Sequence, residues 1–287
     1  KKRKSKSNLQ GEKIVKNIYT YGDQPVKRNL TVADLQQQRG KKKFTQVTAD
    51  TFEEAAAAAA AGIDTISCGL NEYSCVRAGA PDLFITTALL PTEFIGEDDI
   101  IRAALKVMEA GSDAIFTGRS LRIIEALAKE GVPVMGHIGM RPRFSTWYGS
   151  LNVRGKSAED ASALHQQFRD LEDAGAFAVE VELVAQEALL EISRRTNLVT
   201  FCLGSGSAGD VDFLFACDAL GETERLPRHA KAFGNLRVLH EQLQQSRIEA
   251  FSAFQQAVET GAYPTSEQSS SMLPGEWEKF LHQLSKS

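Results

Sequence analysis

Residues 112–139 read SDAIFTGRSLRIIEALAKEGVPVMGHIG. Ala114–Thr117 is a short apolar run ending on β-branched Thr117, with the length and composition of a strand. Leu121–Glu130 places its apolar residues at helical spacing and stops at Gly131, a residue that can take the left-handed conformation that closes a helix. Pro133–His137 is a second strand-like run. Two strands joined by a helix can pair in parallel, because a parallel pair needs a long crossover and the helix supplies it.

The unit repeats in both directions. Strand-like runs precede it at Phe44–Ala49, Asp64–Cys68 and Leu83–Ala88, and follow it at Phe177–Glu182, Leu198–Leu203 and Phe213–Asp218. Helical patterns lie between most of them. Thr51-Phe52-Glu53-Glu54 matches a capping box, opens a run of seven alanines and leads to a stop at Gly62. Asp98–Ala110, Ala158–Ala174 and Gln186–Arg195 complete the series, the first two stopping at Gly111 and Gly175. About eight strand–helix units in roughly 180 residues predict an α/β fold of the (β/α)8 TIM-barrel type, followed by a C-terminal helical extension. No Gly-x-Gly-x-x-Gly follows the first strand, which argues against a dinucleotide-binding sheet.

The remaining organisation follows from composition. Residues 1–41 read as a polar, partly disordered lead-in, 42–264 as the barrel, and 265–287 as a Ser-rich linker with a final amphipathic helix. In that helix, Trp277, Phe280, Leu281 and Leu284 recur at helical spacing and are expected to pack on a core. The 287 residues carry a net charge of -4, so the chain as a whole is no nucleic-acid binder. Five of its 33 basic residues crowd into Lys1–Lys6, so the rest is more acidic than that figure. Cys68, Cys75, Cys202 and Cys217 show no C-x-x-C spacing, and no apolar stretch is long enough for a membrane span. A reduced, cytoplasmic protein is expected.

In a barrel of this kind, chemistry sits at the C-terminal ends of the strands. Gly136-His137 ends the fifth strand and brings an imidazole to the mouth, to hydrogen-bond a developing enolate or merely to brace a loop. Arg141 and Arg143 follow, suited to an anionic substrate. Glu182 ends the sixth strand, where a carboxylate can take a proton beside a carbonyl; Glu180 shares its parity, and the pair is otherwise a solvated or ion-paired feature. Gly204-Ser205-Gly206 after the seventh strand offers backbone amides to an anion, and Arg119 after the fourth can clamp a carboxylate or serve as a loop arginine.

The ordered set of motifs resembles the ketopantoate hydroxymethyltransferase family, of the phosphoenolpyruvate mutase/isocitrate lyase group of barrels. The likeness runs from Lys42-Lys43-Phe44-Thr45-Gln46-Val47 through Val132-Pro133-Val134-Met135-Gly136-His137-Ile138-Gly139, Val181-Glu182, Leu203-Gly204-Ser205-Gly206 and Asp218-Ala219-Leu220-Gly221 to Thr260-Gly261-Ala262-Tyr263-Pro264. The resemblance implies a small 2-oxo acid substrate, proton removal beside its carbonyl, and attack of the enolate on a one-carbon unit from methylenetetrahydrofolate. It implies that Glu182 is the proton-transfer carboxylate and His137 the fifth-strand histidine; the residues themselves offer Asn71, Arg119, Gly204, Ser205 and Gly206 as the substrate contacts. It also implies a ring-like homo-oligomer, while the charge balance and the lack of a long apolar stretch argue against nucleic-acid and membrane partners.

The resemblance implies magnesium as well, and there the chain departs. Leu70 and Leu89 occupy the two aspartate positions, and Phe116-Thr117-Gly118 replaces the lysine and glutamate after the fourth strand. Leucine cannot ligate magnesium, which demands oxygen. The expectation is therefore a divergent enzyme working through an enolate, by carbon–carbon bond formation or cleavage, without the usual magnesium site and with no metal ligands assigned. Genuine ketopantoate synthesis from 2-oxoisovalerate and a non-catalytic ligand-binding or scaffolding relative are the alternatives.

Overall fold

The structure is a computed structural model that describes residues 15–286. The basic stretch Lys1–Lys6 lies outside the described residues. Among the described residues, ten strands and eleven α-helices follow one another, and the chain divides into two compact units.

The first unit contains a closed, all-parallel barrel of eight strands: β3 (Phe44–Thr48), β4 (Thr65–Gly69), β5 (Phe84–Ala88), β6 (Ala114–Phe116), β7 (Val134–Gly139), β8 (Ala178–Glu182), β9 (Val199–Leu203) and β10 (Val211–Leu214), with β10 pairing back onto β3. Helices α2 (Phe52–Ala61), α3 (Tyr73–Gly79), α4 (Glu97–Glu109), α5 (Leu121–Lys129), α7 (Ala158–Asp173) and α8 (Gln186–Ser193) lie between successive strands, and a short α6 (Ser145–Tyr148) interrupts the loop after β7. The predicted (β/α)8 barrel is therefore present, with strand ends mostly within a residue or two of their sequence positions.

Local chemistry explains the elements. Thr51 and Glu54 form the predicted reciprocal cap of α2, and Gly62 closes it at φ +82°. The alanines give α2 little bulk, so Ala55 and Ala58 are buried and α3 approaches closely. A side chain at Gly79 would come within 2.3 Å of the Phe52 carbonyl. Apolar side chains then split into two clusters. Ile66, Ile85, Ile115, Val134, Val179 and Val181 pack outward against the helices. Phe44, Phe84, Met135, Val199 and Phe201 fill the barrel interior.

Two expectations need correction. The stretch before the barrel is not a featureless lead-in: β1 (Lys16–Tyr19) and β2 (Pro25–Arg28) form an antiparallel hairpin, followed by α1 (Val32–Gln37). Leu35 of α1 is fully buried and joins the interior cluster. Arg28 is buried, donating to Asp113 Oδ1 at 2.6 Å and to the carbonyls of Pro81 and Gly111, while Asp113 also receives Arg77 at 2.6 Å. Four-residue strands carry too little periodicity to read from sequence. The eighth strand is Val211–Leu214 rather than Phe213–Asp218, and Asp218 lies in helix α9 (Ala216–Leu220). Its register is set by pairing with Phe44–Val47 of β3, a long-range constraint.

The second unit, residues 221–224 and 234–287, contains α10 (Leu236–Glu259) and α11 (Glu276–Leu284). Residues 234–264, counted with the barrel in the sequence reading, thus fall in this unit. Neither helix buries a residue, and Trp277, Phe280, Leu281 and Leu284 are exposed. Among the described residues, no helix is long and apolar enough to cross a membrane.

Candidate active site

The C-terminal ends of the barrel strands surround a cavity of about 740 Å³, within the range of small-molecule sites. Its wall includes Ser67, Cys68 and Glu72 near β4, Phe116 on β6, His137 on β7, Glu180 on β8, and Arg141 and Arg143 from the loop after β7.

The centre of this site is built by β7 and β8. Their parallel register sets His137 opposite Glu180 and Gly139 opposite Glu182. Side chains two residues apart on a strand point to the same face, so both carboxylates of β8 turn towards His137. Its Nε2 lies 3.1 Å from Glu182 Oε2 and 3.7 Å from Glu180 Oε1. Two glycines permit the approach. At Gly136 a side chain would run into Leu171 of α7, and at Gly139, with φ +98°, it would lie 2.1 Å from the Glu182 carbonyl oxygen. The Phe116 ring stands 5.6 Å from the imidazole and covers one side of it.

Electrostatics distinguish the groups. Burial pushes the Glu180 carboxyl up to about 7; His137 pulls against that shift and Glu182 adds to it. Across the cavity, burial pushes the Cys68 thiol up to about 12, so it is no thiolate nucleophile. The loop after β7 is positive. Arg143 donates to the Gly118 carbonyl, both Arg141 and Arg143 stack on Phe144, and Arg141 Nε is buried without a hydrogen-bond partner. Burial first, then the charges of Arg141 and Arg119, lower the pKa of Arg143. Crowded guanidiniums of this kind favour an anion between them.

The predicted residues part company here. His137 and Glu182 come together, and Glu180 with them; His137, Glu180, Arg141 and Arg143 line the cavity, whereas Glu182 is not part of its wall. Arg119 Nη1 instead donates to the carbonyls of Pro91 and Phe94, both at 3.0 Å, tying down the loop after β5. Asn71 is exposed and is not part of the cavity wall. The Gly204–Gly206 turn also lies off the wall. Ser205 is buried, donates from Oγ to the Val181 carbonyl at 2.8 Å and accepts from the Val184 amide at 2.9 Å. Side chains at Gly204 and Gly206 would collide with Leu183 and Gln186 respectively. This loop braces the chain just beyond Glu182.

Positions 70, 89 and 118, where the resemblance puts a magnesium site, do not fit that ion. Leu70 packs against the outer core, Leu89 is fully buried, and Gly118 has no side chain. None offers a side-chain oxygen. Among the described residues, one group of three potential ligands does converge: His137, Glu180 and Glu182, whose ligand atoms all lie within 4.8 Å of one another.

Glu180, Phe116 and Cys68 are missing from the sequence-derived set. Glu180 carries a signal in its shared parity with Glu182, and Cys68 in its place at the end of the second strand.

Comparison with known proteins matches residues 70–266 to ketopantoate hydroxymethyltransferase. The chain is 30% identical over 266 residues to 3-methyl-2-oxobutanoate hydroxymethyltransferase of Thermotoga maritima, covering 84% of this chain and 96% of that protein. It is 27% identical over 262 residues to the enzyme of the same name from Staphylothermus marinus, covering 83% and 94%. Among solved structures, it is similar to Rhizobium etli pyruvate carboxylase at 13% identity and TM-score 0.50, over 66% of this chain and 24% of that one. That likeness speaks for the fold alone. It also matches 2,3-dimethylmalate lyase, a PEP mutase/isocitrate lyase superfamily member, at 13% identity and TM-score 0.49, over 89% of this chain and 100% of the other.

Proposed function

The chain belongs to the ketopantoate hydroxymethyltransferase family, and from that premise we propose that it is an enzyme which activates a small 2-oxo acid through its enolate at the β7–β8 end of the barrel. The observation that carries this reading is the meeting of Glu182, Glu180 and His137 beside a cavity whose other side is arginine-rich. Arg141 and Arg143 attract the substrate carboxylate. Glu182 removes the proton from the carbon next to the carbonyl, and the electron pair spreads onto the carbonyl oxygen. His137 hydrogen-bonds that oxygen as charge develops. The enolate carbon then bonds to an electrophilic one-carbon unit as that unit's carbon–heteroatom π bond opens onto the heteroatom, which takes up the proton from Glu182; the same steps run backwards break a carbon–carbon bond. Leu70 and Leu89 supply no magnesium ligand, so no step is assigned to magnesium at those positions.

The test is deuterium exchange at the acidic carbon of 2-oxoisovalerate, followed by NMR. Exchange is expected with the intact protein and should fall by more than about a hundredfold in Glu182→Gln, the usual scale for losing a general base. A protein that catalyses no exchange with this or other small 2-oxo acids is the non-catalytic relative instead.

A second reading, true ketopantoate synthesis with methylenetetrahydrofolate, is favoured by the similarity to the Thermotoga maritima enzyme over 96% of its length. Formation of ketopantoate from 2-oxoisovalerate and that donor separates it from a divergent activity. A cytoplasmic homo-oligomer is part of the proposal; sedimentation of the purified chain as a monomer would remove that part.

A further inference from the structure

We propose that His137, Glu180 and Glu182 form a binding site for a divalent transition-metal ion, carried by β7 and β8 instead of the positions held by Leu70, Leu89 and Gly118. The geometry is already close to what such an ion requires. Ligand atoms about 2.1 Å from a tetrahedral ion stand about 3.4 Å apart, and the imidazole nitrogen is 3.1 and 3.7 Å from the two carboxylate oxygens. The ligand atoms all lie within 4.8 Å of one another, so closing the widest pair by at most about 1.4 Å completes the set.

Charge points the same way. Two carboxylates, each with a side chain about nine-tenths buried, share one imidazole. Among the described residues, no lysine or arginine pairs with either. Glu180 reaches its nearest cationic candidate, His137, only beyond hydrogen-bond distance. Buried carboxylates are ordinarily paired or coordinate a metal, and a divalent cation would neutralise both.

The donor set defines the ion. One imidazole with two carboxylates suits manganese, iron, cobalt or zinc; magnesium prefers oxygen alone. Three protein ligands leave at least one position open, as in catalytic metal sites. Glu180 and His137 line the mouth cavity, so that position faces the space where a 2-oxo acid would sit. A bound ion would then take the place of the His137 hydrogen bond in polarising the substrate carbonyl, because ligation occupies His137 Nε2. Glu182 can ligate through one oxygen and keep the other for the proton. That use rests on the enolate reading above; the binding itself does not.

The probe is cobalt(II), added to tag-free, EDTA-treated full-length protein and followed by visible absorption and calorimetry. One ion per chain is expected, with d–d bands typical of low-coordinate cobalt. Glu180→Gln, which keeps the side chain's shape, should weaken binding more than about tenfold with an unchanged circular dichroism spectrum. His137→Ala should remove the bands as well. Absence of binding by the intact protein, or equal binding by both variants, would overturn the proposal. Exchange at the substrate carbon in metal-free protein that binds no cobalt would leave the enolate reading standing and refute only the metal site. Cobalt binding without exchange would do the reverse.

Discussion

Ser205 gives the sharpest test of how this site is supported. From sequence it is a substrate contact; in the structure it is buried and holds the chain beyond β8. Replacing it with alanine removes an acceptor from the Val184 amide at 2.9 Å and a donor to the Val181 carbonyl at 2.8 Å. Both atoms are away from water, and a buried polar group left without its partner costs about 1–3 kcal/mol. Because Val181 also sits in the β8–β9 ladder, its carbonyl has a local alternative and the amide dominates the loss. We expect Ser205→Ala to destabilise the protein by about 2 kcal/mol. In a barrel of this size that lowers the melting temperature by roughly 4–8 °C. Urea unfolding gives the free energy, and steady-state exchange kinetics give the function. The brace lies next to Glu182, so kcat should fall modestly while KM for the 2-oxo acid stays put. An unchanged unfolding midpoint together with a large rise in KM would refute the brace and restore Ser205 as a substrate ligand.

Arg141→Ala and Arg143→Ala should each raise KM for the oxo acid by about tenfold or more with a smaller effect on kcat, as loss of a charge-assisted contact requires; initial-rate kinetics decide it. Arg28→Met at the opposite end of the barrel removes one of the two arginines paired with Asp113, and should cost about 1–3 kcal/mol in urea unfolding, since Arg77 keeps Asp113 paired, while the folded protein keeps its turnover. Acid sensitivity has a defined source in the Arg154–Asp160 pair. Hydrogen bonding to Arg154 leads the causes that hold the Asp160 carboxyl below its ordinary value, with the Gly155 amide assisting against partial burial. A lowered folded pKa gives stability that is complete above the unfolded value and drains away as pH falls through the folded one. Asp160→Asn should therefore be less stable than the wild type near neutrality, and the gap should close in acid. An equal gap at both pH values would contradict the assignment.

The alternation of strands and helices was legible from residues alone, because periodicity, caps and glycine stops are local properties. Thr51 with Glu54, Gly62 and Gly131 mark their helices without reference to anything distant. The strand-end positions of His137 and Glu182 follow from the same reading. The hairpin and α1 escaped it because short elements bury few residues, and the significance of Leu35 appears only when the barrel's interior is there to receive it. The eighth strand slipped because its limits depend on β3.

What the chain determined by itself is a (β/α)8 barrel with an imidazole and a carboxylate at the ends of adjoining strands. What only the tertiary structure decided is which groups share the mouth. Arg119 has the right position in sequence, yet its guanidinium is tied to two loop carbonyls. Ser205 lies in a loop suited to anions, yet turns inward to hold Val184. Glu180 is one of several acidic residues in the sequence, and barrel closure places it beside His137. The physical reason is that propensity acts along the chain, whereas convergence depends on register and twist between strands distant in sequence. β7 and β8 are separated by a loop and a whole helix, and only their pairing brings His137, Glu180 and Glu182 to one point.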